Sequence, residues 1–126
     1  MAASAQAILT STYDPLVVAL SVVIAVSASY AALGFDSAEE FLRFDDRDKI
    51  CCATVDFHLP PLNGFDVLGI LSQMDGAIPI IIMSAAYAEI RAQALERGAV
   101  EVLGKPFKGE ALLAAVKSAV ESDRRS

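Results

Sequence analysis

Residues 55–68 read VDFHLPPLNGFDVL, and this stretch decides the predicted fold because it joins a strand to a helix. It continues ICCATV at residues 50–55, a run of small and β-branched side chains that predicts a buried strand. Residues 58–64 hold two prolines, an asparagine and a glycine, which predicts a loop. Residues 65–74 then predict a helix, whose apolar stripe consists of Phe65, Leu68 and Leu71.

The same alternation of short apolar runs and amphipathic segments extends outward along the chain. Continuous apolar strands that alternate with helices favour a parallel sheet covered on both faces. The 126 residues are about one domain's length, so we predict a single α/β doubly wound domain over residues 1–126. The predicted strands are residues 6–11, 30–35, 50–55, 78–83 and 100–103, and the predicted helices are residues 15–27, 37–44, 65–74, 88–97 and 109–122.

Composition excludes several classes of protein. The hydrophobic fraction of 55% excludes a disordered chain. The formal net charge of −6 argues against a basic surface for nucleic acid, so we expect no nucleic-acid partner. The adjacent Cys51 and Cys52 lack the spacing of a disulfide framework or a metal site, and they indicate reduced residues of a cytoplasmic protein.

Charge is nearly absent from the start of the chain, where Asp14 is the only charged residue among the first 35. Residues 16–33 carry no charge and approach the length that spans a bilayer. They contain three serines, however, and no lysine or arginine occurs before Arg43. We therefore expect no membrane association, and a membrane anchor is the hypothesis from another class.

The predicted helix over residues 15–27 is apolar nearly all round, because Val17, Val18, Val22 and Ala25 leave little polarity on its outer face. A helix of that kind is usually buried, so in a one-domain chain it indicates a partner surface. A homodimer through this first helix is the leading hypothesis. The alternative is that small residues are merely tolerated there.

Three chemically active residues each follow a predicted strand directly. They are Asp56, Ser84 and Lys105, and the carboxyl ends of parallel strands meet at one edge of the sheet. A carboxylate can attack phosphorus while a hydroxyl and an ammonium group hold the phosphoryl oxygens. The sequence therefore predicts a phosphoryl-acceptor site.

These residues lie in motifs that resemble the receiver domain of two-component response regulators. The matching stretches are SAEEFL at 37–42, VDFHLPPLNGFDVL at 55–68, IIIMSA at 80–85, ALERGA at 94–99 and GKPF at 104–107. The resemblance implies a flavodoxin-like (CheY-like) five-stranded sheet of order 2-1-3-4-5 with five helices. It implies that Asp56 is the phosphoacceptor, Ser84 the conserved hydroxyl and Lys105 the phosphate-contacting lysine, with a cis peptide before Pro106.

Receivers of this family normally carry two acidic residues at the end of the first strand, and these bind Mg²⁺ together with the phosphoacceptor and the backbone carbonyl at His58. Here one alignment places Thr12 and Tyr13 at the pair, and a one-residue shift places Ser11 and Thr12 there. Neither alignment places an acidic residue at the pair. The nearby Asp14 either binds the ion together with Asp56 or caps the first helix. Because Mg²⁺ needs hard oxygen ligands, we expect weak or absent binding.

Two further residues bear on signalling. The family often has a Phe or Tyr two or three residues before the lysine, and Val102, which stands there, has no ring to move. His58 is the only histidine, and we favour a solvent-facing loop side chain over a metal ligand or a pH sensor.

We therefore predict a stand-alone receiver-like domain that acts in phosphorelay signal transduction. We predict a protein-interaction module, with a histidine kinase or another signalling protein as partner and with impaired Mg²⁺-dependent phosphorylation at Asp56. The alternative is a fully phosphorylatable receiver that accepts a phosphoryl group from a histidine kinase. In either case we expect no enzyme beyond self-phosphorylation from a donor and slow autodephosphorylation.

Overall fold

Five parallel strands form the main sheet of the computed structural model, which describes residues 5–9, 31–35, 38–43, 50–59, 62–73, 78–105 and 107–125. The predicted helix over residues 15–27 lies outside these ranges. The strands of the main sheet are β1 (Ala5–Leu9), β2 (Ala31–Phe35), β3 (Ile50–Asp56), β6 (Ile80–Ser84) and β7 (Glu101–Gly104), and a hairpin adds β4 (His58–Leu59) and β5 (Leu62–Asn63). The described helices are α1 (Ala38–Arg43), α2 (Gly64–Ser72), α3 (Tyr87–Glu96) and α4 (Gly109–Arg125).

The main sheet has the strand order β2-β1-β3-β6-β7, with all neighbours parallel. Counted along the chain, this is the order 2-1-3-4-5 that the resemblance implied. β3 lies at the centre and all seven of its residues are buried. The order therefore places the carboxyl end of β3 beside the carboxyl ends of β1 and β6.

Alternating strand residues build two hydrophobic cores, one on each face of the sheet. One core joins Val55 and Ile82 to the buried sides of α2 and α3. The other joins Cys52 and Ile81 to Leu112, Val116 and further small residues of α4. The doubly covered sheet explains why its strands are continuous apolar runs.

A register shift between β1 and β3 brings the two cysteines to the same face. Ala5 pairs with Ile50 and Gln6 pairs with Cys52, so Cys51 is an extra residue in β3. A bulge residue of this kind interrupts the alternation of side chains. Cys51 and Cys52 consequently both pack in the core under α4, and they form no disulfide.

The predicted loop over residues 58–64 contains a short antiparallel hairpin, in which His58 pairs with Asn63 and Leu59 with Leu62. Strands of two residues are too short to produce a visible alternation, so the prediction of a plain loop was wrong. Asn63 also caps α2: its Oδ1 accepts the N–H of Asp66 at 3.0 Å, and Asp66 Oδ2 accepts the N–H of Asn63 at 2.9 Å. This reciprocal pair sets the start of the helix.

Gly98 follows the end of α3, and the helix predicted over residues 88–97 also stops just before it. The chain leaves the helix through Arg97, and Gly98 adopts a φ of 111°. Side chains with a Cβ rarely adopt that left-handed conformation. Ala99 N–H then donates to the carbonyl of Ala94 at 3.0 Å, which closes the turn before β7.

β7 is the last strand at one edge of the sheet. Lys105 N–H donates to the carbonyl of Ser84 at 2.9 Å, so alternate N–H groups of this segment point to β6. The N–H of Val102 points the other way and donates to Oε1 of its neighbour Glu101 at 2.9 Å. The Glu101 carboxylate thus accepts a hydrogen bond from a backbone N–H that points away from the neighbouring strand β6.

Candidate functional site

Asp56 is the last residue of β3 and lies at the carboxyl edge of the sheet. Its register partner in β6 is Met83, and the ladder continues one step further because Phe57 N–H donates to the Met83 carbonyl at 2.8 Å. The carboxylate is buried. A carboxylate at this depth needs a charged or hydrogen-bonding partner, since burial penalises an isolated charge.

Lys105 supplies that partner. Its Nζ lies 2.8 Å from Asp56 Oδ2, which is the distance of a charge-assisted hydrogen bond. The position of Lys105 is set by the sheet, because its N–H bonds to the Ser84 carbonyl directly after β7 ends. Residues 49 apart in the chain are thus brought together by the register of β3, β6 and β7.

Ser84 ends β6 between these two strands and is buried. Its Oγ accepts the N–H of Ala86 at 2.9 Å. Asp56, Ser84 and Lys105 therefore stand at the ends of three adjacent strands, in the arrangement that the sequence predicted. The set supplies a nucleophilic carboxylate, a hydroxyl and an ammonium group at one edge.

His58 contacts the site through its backbone. Its N–H donates to Asp56 Oδ1 at 3.3 Å, so both carboxylate oxygens have a partner. The side chain is exposed, as expected from the sequence. The hairpin that contains His58 thereby fixes the rotation of the carboxylate.

Aromatic contacts brace the chain just after Asp56. Phe57 packs edge-on against Phe65 with 5.0 Å between ring centroids, and the Arg97 guanidinium lies 4.5 Å above the Phe65 ring. Gly64 allows this turn because a Cβ there would lie 3.1 Å from both the Phe57 ring and Ile82. Phe65, which was predicted on the apolar stripe of α2 with Leu68 and Leu71, is half-buried and packs against the same core cluster as those two residues.

Of the predicted metal-binding positions, Asp56 and His58 are among the described residues and the others are not. Ser11, Thr12, Tyr13 and Asp14 lie outside the described residues. Within the described residues, no group of three or more His, Cys, Asp or Glu side chains could hold a metal ion. The Asp56 carboxylate, the predicted side-chain ligand that the structure does describe, is paired with Lys105 at 2.8 Å.

Val102 is buried in the core between the sheet and α3. It also lines a groove between β7 and α4, together with Tyr87 and small residues of α4. Tyr87 was not singled out from the sequence, although it stands three residues after Ser84. A second omission is Thr54, whose buried hydroxyl has no hydrogen-bond partner among the described residues.

The thiol of Cys52 lies deep in the core, away from this edge of the sheet. A hydrogen bond with Cys51, burial and the neighbouring charge together raise the pKa of Cys52 far above its usual range. Cys52 is therefore a protonated core residue rather than a nucleophile. In the described part of the chain, no helix is long and apolar enough to cross a membrane. Residues 16–30 of the uncharged segment lie outside that part, and its last three residues belong to β2.

Comparison with known proteins agrees with this geometry. The sequence profile of the response regulator receiver domain matches residues 14–117. Nodulation protein W of Bradyrhizobium diazoefficiens is 35% identical over 100 residues, covering 79% of this chain and 44% of that protein. Response regulator protein TodT of Pseudomonas putida is 34% identical over 88 residues, covering 69% of this chain and 39% of that protein.

Solved structures share the fold. A response regulator receiver domain protein from Clostridium thermocellum superposes with a TM-score of 0.83 at 19% identity, covering 96% of this chain and 97% of that one. At that identity the likeness concerns the fold alone. The chain spans less than half the length of the two curated relatives it matches above.

Proposed function

This chain belongs to the response regulator receiver domain family, and we propose from that premise that it is a protein-interaction module with impaired Mg²⁺-dependent phosphorylation at Asp56. Response regulator receiver domains act in two-component signal transduction. They interact with histidine kinases and other signalling proteins, and they generally bind Mg²⁺. In this chain, we propose, the Mg²⁺-dependent transfer of a phosphoryl group to Asp56 is weakened.

One observation carries the proposal: Asp56 and Lys105 form a one-to-one ion pair at 2.8 Å. Such a pair is formally neutral, so it attracts a divalent cation much less than a cluster of carboxylates does. The sequence has Ser11, Thr12 and Tyr13 at the positions where an acidic pair is expected. Without that pair, little negative charge remains to hold Mg²⁺ or to bring it to a phosphodonor.

The competing function is a fully phosphorylatable receiver, and a specific observation favours it too. Asp56, Ser84 and Lys105 are all present at the ends of adjacent strands. An Asp56 oxygen could form a bond to phosphorus as the phosphorus–nitrogen bond of a phosphohistidine breaks. Lys105 and Ser84 would then stabilise the oxygens of the phosphoryl group.

A titration separates the two functions. The amide resonances of the wild-type chain are followed while Mg²⁺ and then beryllofluoride are added, with Asp56→Asn as the control that lacks the acceptor. We expect no saturating response near Asp56 and Ser84 at millimolar Mg²⁺. A saturating response that Asp56→Asn abolishes would overturn impaired phosphorylation and favour the competing function.

Restoring acidic residues tests the cause. Because two alignments are open, two double variants are compared: Thr12→Asp with Tyr13→Asp, and Ser11→Asp with Thr12→Asp. We expect one of them to bind Mg²⁺ at least tenfold more tightly than the wild type, by about 1.4 kcal/mol. Equal affinity in all three chains would show that the acidic pair is not what limits binding.

Three remaining expectations are also proposals. A homodimer through residues 15–27 rests on sequence alone, because those residues lie outside the described ranges. Sedimentation velocity tests this by comparison of the wild type with Val18→Lys. We expect a dimer for the wild type and a monomer for the variant, and a monomeric wild type would contradict the proposal. We further propose a cytoplasmic protein that is no enzyme beyond self-phosphorylation and slow autodephosphorylation.

A further inference from the structure

The peptide group between Phe57 and His58 is held at both of its polar atoms. Its carbonyl, which belongs to Phe57, accepts the N–H of Gly64 at 2.8 Å. Its N–H, which belongs to His58, donates to Asp56 Oδ1 at 3.3 Å. The second bond is at the long end of the hydrogen-bond range, so a small rotation of the peptide plane breaks it. The orientation of this peptide therefore decides whether Asp56 Oδ1 keeps that donor.

The first turn of α2 carries both the partner of that carbonyl and an aromatic ring. Gly64 and Phe65 are consecutive residues of the helix, so the backbone donor and the ring move together. The Phe65 ring packs edge-on against the Phe57 ring, with 5.0 Å between centroids. The start of α2 thus contacts Phe57 twice, through the backbone and through the ring. A displacement of the Phe65 ring consequently acts on the peptide group that ends at His58.

Arg97 holds the same ring from a different helix. Its guanidinium lies 4.5 Å above the Phe65 ring, which is within cation–π distance. Phe65 is only half-buried, so the arginine covers a ring that the core alone does not enclose. Arg97 stands at the carboxyl end of α3, where its N–H donates to the carbonyl of Gln93 at 2.9 Å. The position of the ring therefore depends on a residue that lies outside the candidate site.

We propose that Arg97 is a positioning residue for Asp56, which acts through the Phe65 ring on the N–H of His58. Lys105 bonds to Asp56 Oδ2 and His58 bonds to Oδ1. Because the χ2 torsion of aspartate is broad, loss of the second bond lets the carboxylate turn about the first. The meaning of this for phosphoryl transfer rests on the proposed role of Asp56, whereas the positioning itself needs neither metal nor phosphodonor.

Solvent exchange of amide hydrogens, followed by ¹⁵N–¹H NMR on the full chain, measures the positioning. The His58 N–H is protected while it is bonded to Asp56, so its exchange rate reports how often that bond opens. The reference is the N–H of Ala53, which donates to the Pro79 carbonyl at 2.9 Å in the buried sheet. The ratio of the two rates separates a local change at His58 from a general loosening of the fold.

Three substitutions test the role of the cation. Arg97→Gln removes it, and Arg97→Lys keeps a cation at the same place. The matched control is Arg91→Gln, which removes another exposed arginine of α3. We expect Arg97→Gln to raise the His58 ratio about two- to fivefold, as for loss of an exposed cation–π contact. Arg97→Lys and Arg91→Gln should leave the ratio close to that of the wild type.

A double variant tests the route. Phe65→Leu should raise the ratio by itself, and Arg97→Gln should add nothing to it, because the ring through which Arg97 acts is gone. Equal ratios in Arg97→Gln and Arg91→Gln would overturn the proposal, as would additive effects of Arg97→Gln and Phe65→Leu. None of these measurements uses Mg²⁺ or a phosphodonor, so their outcome is independent of the titration that tests the proposed function.

Discussion

Removal of Lys105 should destabilise the fold more than neutralisation of Asp56. The Asp56 side chain is 8% exposed, whereas that of Lys105 is 24% exposed. In Lys105→Met the carboxylate keeps only the His58 N–H at 3.3 Å and stays largely out of water. In Asp56→Asn the ammonium group can swing into solvent, and the amide oxygen can still accept a hydrogen bond from it.

The magnitude follows from the two exposures. Removal of one partner of a fully buried pair costs 3–5 kcal/mol, and an exposed pair contributes at most about 1 kcal/mol. The Asp56–Lys105 pair lies between these limits, so we expect Lys105→Met to cost about 2 kcal/mol. Asp56→Asn should cost about 0.5 kcal/mol, since it keeps the shape of the side chain and an amide oxygen that can still accept a hydrogen bond.

The assay is urea unfolding of the wild type, the two single variants and the double variant, followed by circular dichroism. We expect the double variant to recover about 1–2 kcal/mol relative to the sum of the single changes, because no uncompensated charge remains buried. Two results would refute the reasoning: Lys105→Met no more destabilised than Asp56→Asn, or additivity within about 0.5 kcal/mol.

Three further predictions concern stability. Gly98→Ala should lower the free energy of unfolding by about 1–2 kcal/mol because of the positive φ at Gly98. Gly69 lies in the middle of α2 with equally open space around it, so Gly69→Ala should raise the free energy of unfolding by about 0.5–1 kcal/mol in the same urea assay. Asn63→Ala should lower the free energy of unfolding by about 1 kcal/mol through loss of the α2 cap, and an unchanged urea midpoint would contradict this. The raised pKa of Cys52 stabilises the fold below its ordinary value of 9.0 and less so as the pH rises above it, because only the unfolded thiol then ionises. The difference between the urea midpoints at pH 7 and at pH 10 should therefore be smaller for Cys52→Ala than for the wild type.

The site was predictable because its residues need no long-range information. Asp56, Ser84 and Lys105 each stand directly after an apolar run, and parallel strands bring such positions to one edge. Their chemistry then suggests the function. The pairing of Lys105 with Asp56 follows once the strand order is known.

Other contacts depend on register and packing, which a sequence pattern does not contain. The bulge at Cys51 arises from the pairing of β3 with β1, and nothing in the adjacent cysteines reveals it. The contacts of Phe65 with Phe57 and Arg97 depend on how two other segments pack against α2.

The Glu101 carboxylate at the outer strand has a consequence for the behaviour of the protein in a crowded solution. An unpaired backbone N–H on an edge strand is a template on which another chain can add a strand and begin an aggregate. Here the N–H of Val102 is already satisfied by Glu101, and the same side chain brings a negative charge to the place where a second strand would dock. Glu101, which also lines the groove between β7 and α4, thus makes the addition of a further strand at β7 less favourable.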